Sequence, residues 1–593
     1  QHHLFSEHRE MKTLLKPLNL LVAMLLAGVL CSDAETAHGE HGMVVSVHPI
    51  ATQAGIEVLK KGGNAIDAAV AVALTLGVVD SHNSGIGGGC FILLRRSNGA
   101  YNAIDGREMA PEKATRDMFL RDGEADPELR QTGAVAIATP GALAGYDLAV
   151  KKFGKLPLKD RLLDAAKIAE DGFVVDPNFA NVLRRNADAL SQFGETRAAF
   201  LNKGKPYKTG ETFKQPDLAK TYRNVATNDI GWFYGGPFAE AAEKWMKENN
   251  GLLTVEDFKQ YRPVMREPLF SNYRGYTIAT MPPPSSGGIH VIQILRMVER
   301  FDLYPMRRNA ANVIHVIAEA MKLAFADRAH WLGDPDWVKV PKGLISKKYC
   351  RELSEKIQLE KAIEVPSHGA PDKADEDVFQ SMLNKHTTHF AVVDAEGNWV
   401  ACTATVNTSF GSKVVIPGTG VVMNNEMAGG AAQRGVANVF GLVGAEANAV
   451  GPRKRPLSSM TPTIVSKDGE PILAIGAAGG PTIITQVAQG IINYLDMNMR
   501  WGQDMAELGL SLQDALSTPR FHHQWRPDEL RIEKKWVDSI MVDLEKKGHK
   551  LNKVDSIGAC QAISKNTDGT GYFGAPDPRG WGKAIGFTRE AAE

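Results

Sequence analysis

What this chain of 593 residues lacks first is charge of one sign: Lys+Arg and Asp+Glu both number 68, so the formal net charge is zero. Without a basic excess no surface follows a phosphate backbone, and nucleic acid is not an expected partner. No long polar, Pro-rich or Gly/Ser-rich linker interrupts the chain, so one large core or two tightly packed ones is expected, although the length would allow about four domains. Cysteine is scarce. Cys90, Cys350, Cys402 and Cys560 are scattered without metal-ligand spacing and read as buried thiols, although an export address would permit a disulfide. The unbroken apolar run Leu20 to Leu30 is too short to span a bilayer.

That run has another reading. Met11, Lys12 and Lys16 make a basic start, and Ser32-Asp33-Ala34 offers small residues for cleavage, so 1–34 reads as an N-terminal extension plus export signal. Gln1 to Glu10 precede the candidate start at Met11 and read as a tag scar or a misplaced start. A periplasmic or secreted location follows. Leu30-Cys31 raises lipid anchoring as the minor alternative, because a lipobox wants a small residue where Leu30 stands.

From Ile50 the pattern predicts a helix to Lys61, a Gly62-Gly63 stop and a second helix from Asn64, ending at Gly85-Ile-Gly-Gly-Gly89. This glycine run follows a helix and precedes a strand, the reverse of a dinucleotide fingerprint, so it is not read as a phosphate loop. Leu143 to Arg351 reads as mostly helical, with an amphipathic segment Val313 to Trp331 and a Pro282-Pro283-Pro284 turn before Ser285. Ser367 to Asp377 is charged, rich in breakers and expected to be exposed.

Thr387 to Asn407 alternates as two strands around the turn Asp394-Ala-Glu-Gly-Asn398. A symmetrical turn pairs Val393 with Trp399, and counting back brings Thr387 opposite Thr405 with side chains about 5 Å apart on one face. Asn407 faces the same way, whereas Cys402 faces the other and reads as core filler. His386 and His389 lie three apart on a strand, hence on opposite faces, and make no ligand pair. His38 and His41 lie near the mature terminus. No metal is expected.

A threonine hydroxyl needs a base within reach, and no G-x-S-x-G elbow occurs in the chain. An N-terminal threonine carries its own base, an α-amine with a reference pKa near 8. Here the motifs Thr387-Thr-His-Phe-Ala-Val-Val-Asp394, Arg455-Pro-Leu-Ser-Ser-Met-Thr-Pro462, Gly479-Gly480, Arg107-Glu-Met-Ala-Pro111, Met281-Pro-Pro-Pro-Ser-Ser-Gly-Gly-Ile-His290 and Asn438 to Gly444 resemble the γ-glutamyltransferase family of N-terminal nucleophile hydrolases. The resemblance begins near Gly42 and runs almost to the C-terminus.

It implies an α+β fold, a four-layer αββα sandwich formed jointly by a large subunit, 35–386, and a small subunit, 387–593, cut between His386 and Thr387 and remaining associated. It implies Thr387 as nucleophile, Thr405 as its hydrogen-bond partner, and the Gly479 and Gly480 N–H groups as an oxyanion hole ahead of a helix opened by Pro481 and running through Ile491. Arg107, Ser458 and Ser459 would hold the donor's α-carboxylate. Asn407 and Glu426 would hold its α-ammonium, and Phe440 would sit in a lid loop. One departure stands out at Asn424-Asn-Glu-Met-Ala-Gly-Gly430, where Gly429 occupies the position of an ammonium-binding aspartate. Singly these residues read as strand threonines, a serine turn and a helix entry; together, in order, they read as a site.

The implied partners are glutathione or other γ-glutamyl compounds, with water, amino acids or peptides as acceptors, and no cofactor. Two alternatives are an acylase of the same fold acting on a β-lactam side chain or poly-γ-glutamate, and a non-catalytic amino-acid- or peptide-binding protein. Thr387, Thr405 and the glycine pair argue against the second, since a binder needs no oxyanion hole.

Overall fold

The computed structural model describes residues 36–306, 310–371, 378–379, 387–431, 442, 446–496, 511–566 and 569–588. The segment read as an export signal, His386, Phe440 and the part of the charged stretch from 372 to 377 lie outside them. The strands of the two main sheets are, in chain order, β1 (Ala37–Gly39), β2 (Gly42–Ser46), β3 (Gly89–Arg95), β4 (Tyr101–Gly106), β5 (Val264–Arg266), β6 (Leu269–Tyr273), β7 (Tyr276–Thr280), β8 (Thr388–Val393), β9 (Trp399–Thr405), β10 (Thr463–Lys467), β11 (Glu470–Ala478), β12 (Ala559–Lys565), β13 (Tyr572–Pro576) and β14 (Lys583–Phe587). One seven-stranded sheet has the order β1-β13-β12-β11-β10-β7-β6, the other β5-β4-β3-β9-β8-β2-β14. Their pairings are antiparallel.

Alternation along the second sheet explains why it is covered on both faces. Ala391, Val393, Trp399 and Ala401 point into the core shared with Ile464, Ala474 and Ile475 of the first sheet. Phe390, Val392, Val400 and Cys402 point the other way, onto helices α1 (Pro49–Lys60) and α2 (Ala65–Val79). Helices α3 (Ser286–Val298), α4 (Ala310–Trp331) and α5 (Thr482–Asp496) cover the first sheet. The result is the expected αββα sandwich.

The opening helices start and stop where the sequence predicts. Asn64 caps α2, and Asp67 returns the bond to the Asn64 N–H. Two expectations need correction. The middle of the chain also contributes β5, β6 and β7, edge and near-edge strands too short to register against a helical background. And α4 is not amphipathic: Val313 to Arg328 is buried without a break, Glu319, Lys322, Asp327 and Arg328 included. Its charges face protein on every side, which periodicity alone does not distinguish from a surface helix. The four cysteines, as expected, are free and buried.

The glycine run before β3 packs closely against backbone. A Cβ on Gly87 would stand 2.1 Å from the Val422 carbonyl oxygen, and one on Gly88 would stand 1.8 Å from that of Thr405. These glycines let the chain pass close against Val422 and against the end of β9 at Thr405.

The hairpin turn itself is held by one carboxylate. Asp394 Oδ1 accepts from the Glu396 and Asn398 N–H groups at 2.9 and 3.0 Å, and Oδ2 accepts from Asn398 Nδ2 at 2.8 Å and from the Ala65 N–H of α2 at 2.7 Å. Asp394→Ala leaves these donors unpaired and is expected to cost about 1–3 kcal/mol. Urea unfolding should show a lower midpoint with an unchanged slope; an unmoved midpoint contradicts this role for the turn.

Candidate active site

The register of β8 and β9 is the one counted from the sequence. Val393 pairs with Trp399 and the ladder runs to Thr388 opposite Ala404, so the next step sets Thr387 opposite Thr405. Thr405 pairs in turn with Gly89, and Cys90 with Gly106, which puts Gly89 level with Arg107. Thr387, Thr405, Gly89 and Arg107 therefore lie in one row across four adjacent strand ends, spaced about 4.8 Å apart. A Cβ on Gly89 would stand 2.3 Å from Glu108 Oε2, so glycine leaves room for a carboxylate in that row.

The first sheet brings its own end to the same place. His389 points between the sheets and its ring lies over Gly476, where a Cβ would approach to 2.2 Å. Thr387 is two residues earlier on the same face, and Gly479 and Gly480 follow Gly476 at the end of β11. Because Thr463 pairs with Ile475, the segment before β10 that carries Ser458 and Ser459 leaves the same end of the sheet. Gly479 and Gly480 have φ of 129° and 67°, left-handed backbone that suits glycine, and they immediately precede Pro481 and α5. The helix runs to Asp496, past the Ile491 expected from the sequence.

Arg107 joins the two sheets. It is fully buried; its Nε donates to the Pro456 carbonyl at 2.7 Å and its Nη2 to that of Leu457 at 3.3 Å. Its Nη1 donates to Glu108 Oε2 at 3.1 Å and its Nη2 to Glu426 Oε1 at 2.7 Å. Ser458 Oγ accepts from the Met460 N–H at 3.1 Å, and Ser459 Oγ accepts from Arg328 Nη2 at 3.5 Å. The serines are thus turn residues and neighbours of two guanidinium groups at once.

Asn407 has a φ of 80°, donates its N–H to Thr405 Oγ1 at 2.8 Å and its Nδ2 to the Asn425 carbonyl at 2.9 Å. Its buried Oδ1 has no hydrogen-bond partner, and neither has Thr387 Oγ1. The hydroxyl-to-hydroxyl bond between Thr387 and Thr405 expected from the sequence is not made in this uncut chain, where Thr405 Oγ1 serves the Asn407 bend.

Three neighbours escaped the sequence reading. Glu108 makes a second carboxylate on Arg107, and adjacency to Arg107 in its motif was the only signal. Arg130 donates from Nη2 to the carbonyls of Ala428 and Gly430 at 2.9 and 2.8 Å, clamping the short helical turn Glu426–Gly429. Arg328 is buried beside Ser459, and burial pulls its pKa well below normal. No salt-bridge partner accompanies it among the described residues, so a carboxylate placed beside Ser459 would meet an uncompensated guanidinium.

Burial is also the leading influence on the Glu426 and Glu108 carboxyls, raising both pKa values against the opposing pull of Arg107, Glu426 well above the carboxylate range. Like charge between the two adds to the rise at Glu426. One guanidinium between two buried carboxyls thus favours holding a proton on the pair.

With this geometry in view, the Gamma-glutamyltranspeptidase family model matches residues 51–587. The chain belongs to the γ-glutamyltranspeptidase family. Among relatives, it is 45% identical over 543 residues to the glutathione hydrolase proenzyme of Escherichia coli (strain K12), covering 91% of this chain and 90% of that one. It is 36% identical to the acylase ACY 1 proenzyme of Pseudomonas sp. (strain SE83), covering 91% of this chain and 92% of that one. Among solved structures, a cephalosporin acylase from Bacillus halodurans superposes with a TM-score of 0.82 at 28% identity, covering 95% of this chain and 98% of that one. Membership in this family accounts for the sandwich and for the motif order. It does not by itself explain Gly429, since relatives named for hydrolysis and for acylation both match nearly the full length.

A retained proton is directly observable. Infrared difference spectra between native and Glu426→Gln protein should show a protonated carboxyl band persisting above the ordinary carboxylate range, present at low pH and lost as pH rises through the raised pKa. Loss of that band at the pH where an ordinary carboxyl ionises contradicts the electrostatic description of the pair.

Proposed function

We propose that this protein is an exported, self-cleaving γ-glutamyltransferase and glutathione hydrolase in which Thr387, freed by scission after His386, is the nucleophile. The observation that carries the reading is the single row of strand ends joining Thr387 and Thr405 to the charged cluster Arg107–Glu426. Residues 35–386 become the large subunit, 387–593 the small subunit, and 1–34 is removed on export.

The chemistry proceeds in two stages. In the precursor, Thr387 Oγ1 attacks the preceding carbonyl, the acyl group passes from nitrogen to oxygen and so frees the α-amine, and water then hydrolyses the ester to leave the His386 carboxylate and restore the Thr387 hydroxyl. That amine then takes the proton of the hydroxyl as it attacks the donor's γ-carbonyl. The N–H groups of Gly479 and Gly480 receive the charge that develops on the oxygen. The leaving amine departs with the proton, and water or an acceptor amine attacks acyl-Thr387 to complete hydrolysis or transfer.

Donor recognition follows the charges. Arg107, Ser458 and Ser459 hold the α-carboxylate, with Arg328 behind Ser459. Glu426 and the unpaired Oδ1 of Asn407 receive the α-ammonium. Neighbouring opposite charges on the protein suit the neighbouring opposite charges of an α-amino acid. Gly429 supplies no carboxylate, and that favours a second reading in which a glutaryl-type acyl group without the amine is also a substrate.

Purified protein is expected to contain a small chain beginning at Thr387, whereas Thr387→Ala remains one uncut chain without acyl transfer. N-terminal sequencing and a γ-glutamyl anilide assay check this; full activity from an uncut protein contradicts it.

For specificity, the comparison is kcat/KM for a γ-glutamyl donor against its glutaryl analogue. Ammonium binding needs ionised Glu426, whose pKa is raised, so the preference for the amine-bearing donor should grow as pH rises through Glu426 ionisation and become flat in Glu426→Gln. Gly429→Asp should raise that preference about ten- to a hundredfold, the worth of a hydrogen bond to a charged group. A preference of several orders of magnitude in the unmodified protein, unchanged by Gly429→Asp, means another residue holds the ammonium.

A further inference from the structure

We propose that His315, Glu319 and His549 form a binding site for one divalent transition-metal ion, with zinc the best match to the ligand set. His315 and Glu319 lie one turn apart on α4, and His549 comes from the far end of the sequence, after the helix Asp538–Lys546. Gly548, with φ of 94°, makes the turn that brings His549 back, and the His549 N–H donates to the Leu544 carbonyl at 3.1 Å. All three side chains are buried, and one ligand atom from each lies within 4.8 Å of the others. Among the described residues this is the one such group of His, Cys, Asp and Glu.

The surroundings orient the lone pairs. His315 Nε2 lies 2.7 Å from the Gln358 carbonyl, which can only accept, so Nε2 carries the proton and the lone pair of the neutral ring sits on Nδ1. Nδ1 faces His549 Nε2 at 2.7 Å. A backbone carbonyl fixing the second nitrogen is the usual outer support of a metal-bound imidazole. Zinc bound to both nitrogens at about 2.0–2.1 Å in a tetrahedral site holds them about 3.3 Å apart. The two rings therefore separate by about half an ångström, small beside the freedom of two side-chain torsions.

Glu319 Oε2 accepts the Ile363 N–H at 2.8 Å, and Oε1 lies 3.1 Å from Lys322 Nζ. That ammonium is shared: it also lies 3.2 Å from Asp528 Oδ1 and donates to the Ile363 carbonyl at 3.0 Å. Asp528 in turn lies 3.1 Å from His523 Nε2. Glu319 and Asp528 both lie against this one ammonium, Lys547 and Glu360 act on His315 with opposite signs, and burial raises the Glu319 pKa; a bound dication favours the ionised carboxylate. Two histidines, one carboxylate and a water-filled fourth position form a donor set that zinc accepts.

His315 and Glu319 precede Thr387 and His549 follows it, so a metal here clamps the two products of cleavage to each other. That consequence rests on the proposed cut; metal binding itself does not. The test is therefore run on the unmodified protein and on uncut Thr387→Ala, each stripped with a chelator and titrated with Zn²⁺ and Co²⁺. Both should take up one ion per translated chain, whether cut or uncut, give the visible absorption of tetrahedral cobalt, and melt at higher temperature with zinc. His315→Gln and His549→Gln, which keep a hydrogen-bonding side chain, should weaken binding by more than about tenfold and lose the cobalt spectrum. Failure of the stripped unmodified protein to take up stoichiometric zinc overturns the proposal and identifies an ordinary hydrogen-bonded histidine pair. So does an unaltered cobalt spectrum in His549→Gln, which places the ion elsewhere.

Discussion

The carboxylate of Asp394 gathers four donors, three from its own turn and one from the first N–H of α2, and so sets the pairing of β8 with β9 and the seat of that hairpin on the helical layer. A slip of one residue would turn every side chain of β8 to the opposite face. Thr387 would then point at the helices, His389 would leave the space over Gly476, and the row from Thr387 through Thr405 and Gly89 to Arg107 would be broken. Covering both faces of the sheet makes such a slip costly, because each face presents apolar side chains matched to a different layer.

Burial then decides the electrostatics. Arg107 reaches from the end of β4 to the carbonyls ahead of Ser458 and so ties the ends of the two sheets together. With Glu108 and Glu426 on the same guanidinium and no exposure for any of the three, charge is set by their proximity more than by solvent. A group of this kind is arranged before the donor arrives, and a pre-arranged field needs little reorganisation as charge develops. The loop carrying Glu426 is fixed by Arg130, which holds the carbonyls on either side of Gly429.

Much of this was legible in the sequence where signals are local. The hairpin register followed from alternation around one turn, and the helix pair α1–α2 from its caps and Gly62-Gly63. The glycine run does lie between a helix and a strand as its sequence order indicated, and Gly87 and Gly88 prove to be backbone contacts. What escaped depends on partners far away in the chain. Glu108 matters because Glu426 lies across Arg107, Arg130 because Ala428 and Gly430 sit on it, and Arg328 because Ser459 is its neighbour. No periodicity reports such meetings, just as none distinguished the all-round burial of α4 from an amphipathic face.

The most direct measurement is to identify the residue that carries the acyl group. The protein would be reacted with a slow γ-glutamyl donor, quenched in acid, digested and mapped by mass spectrometry. The account predicts a γ-glutamyl ester on the hydroxyl of a peptide that begins at Thr387, with no label after prior mutation of that residue to alanine. Label on any other residue, or on Thr387 within an uncut chain, contradicts it.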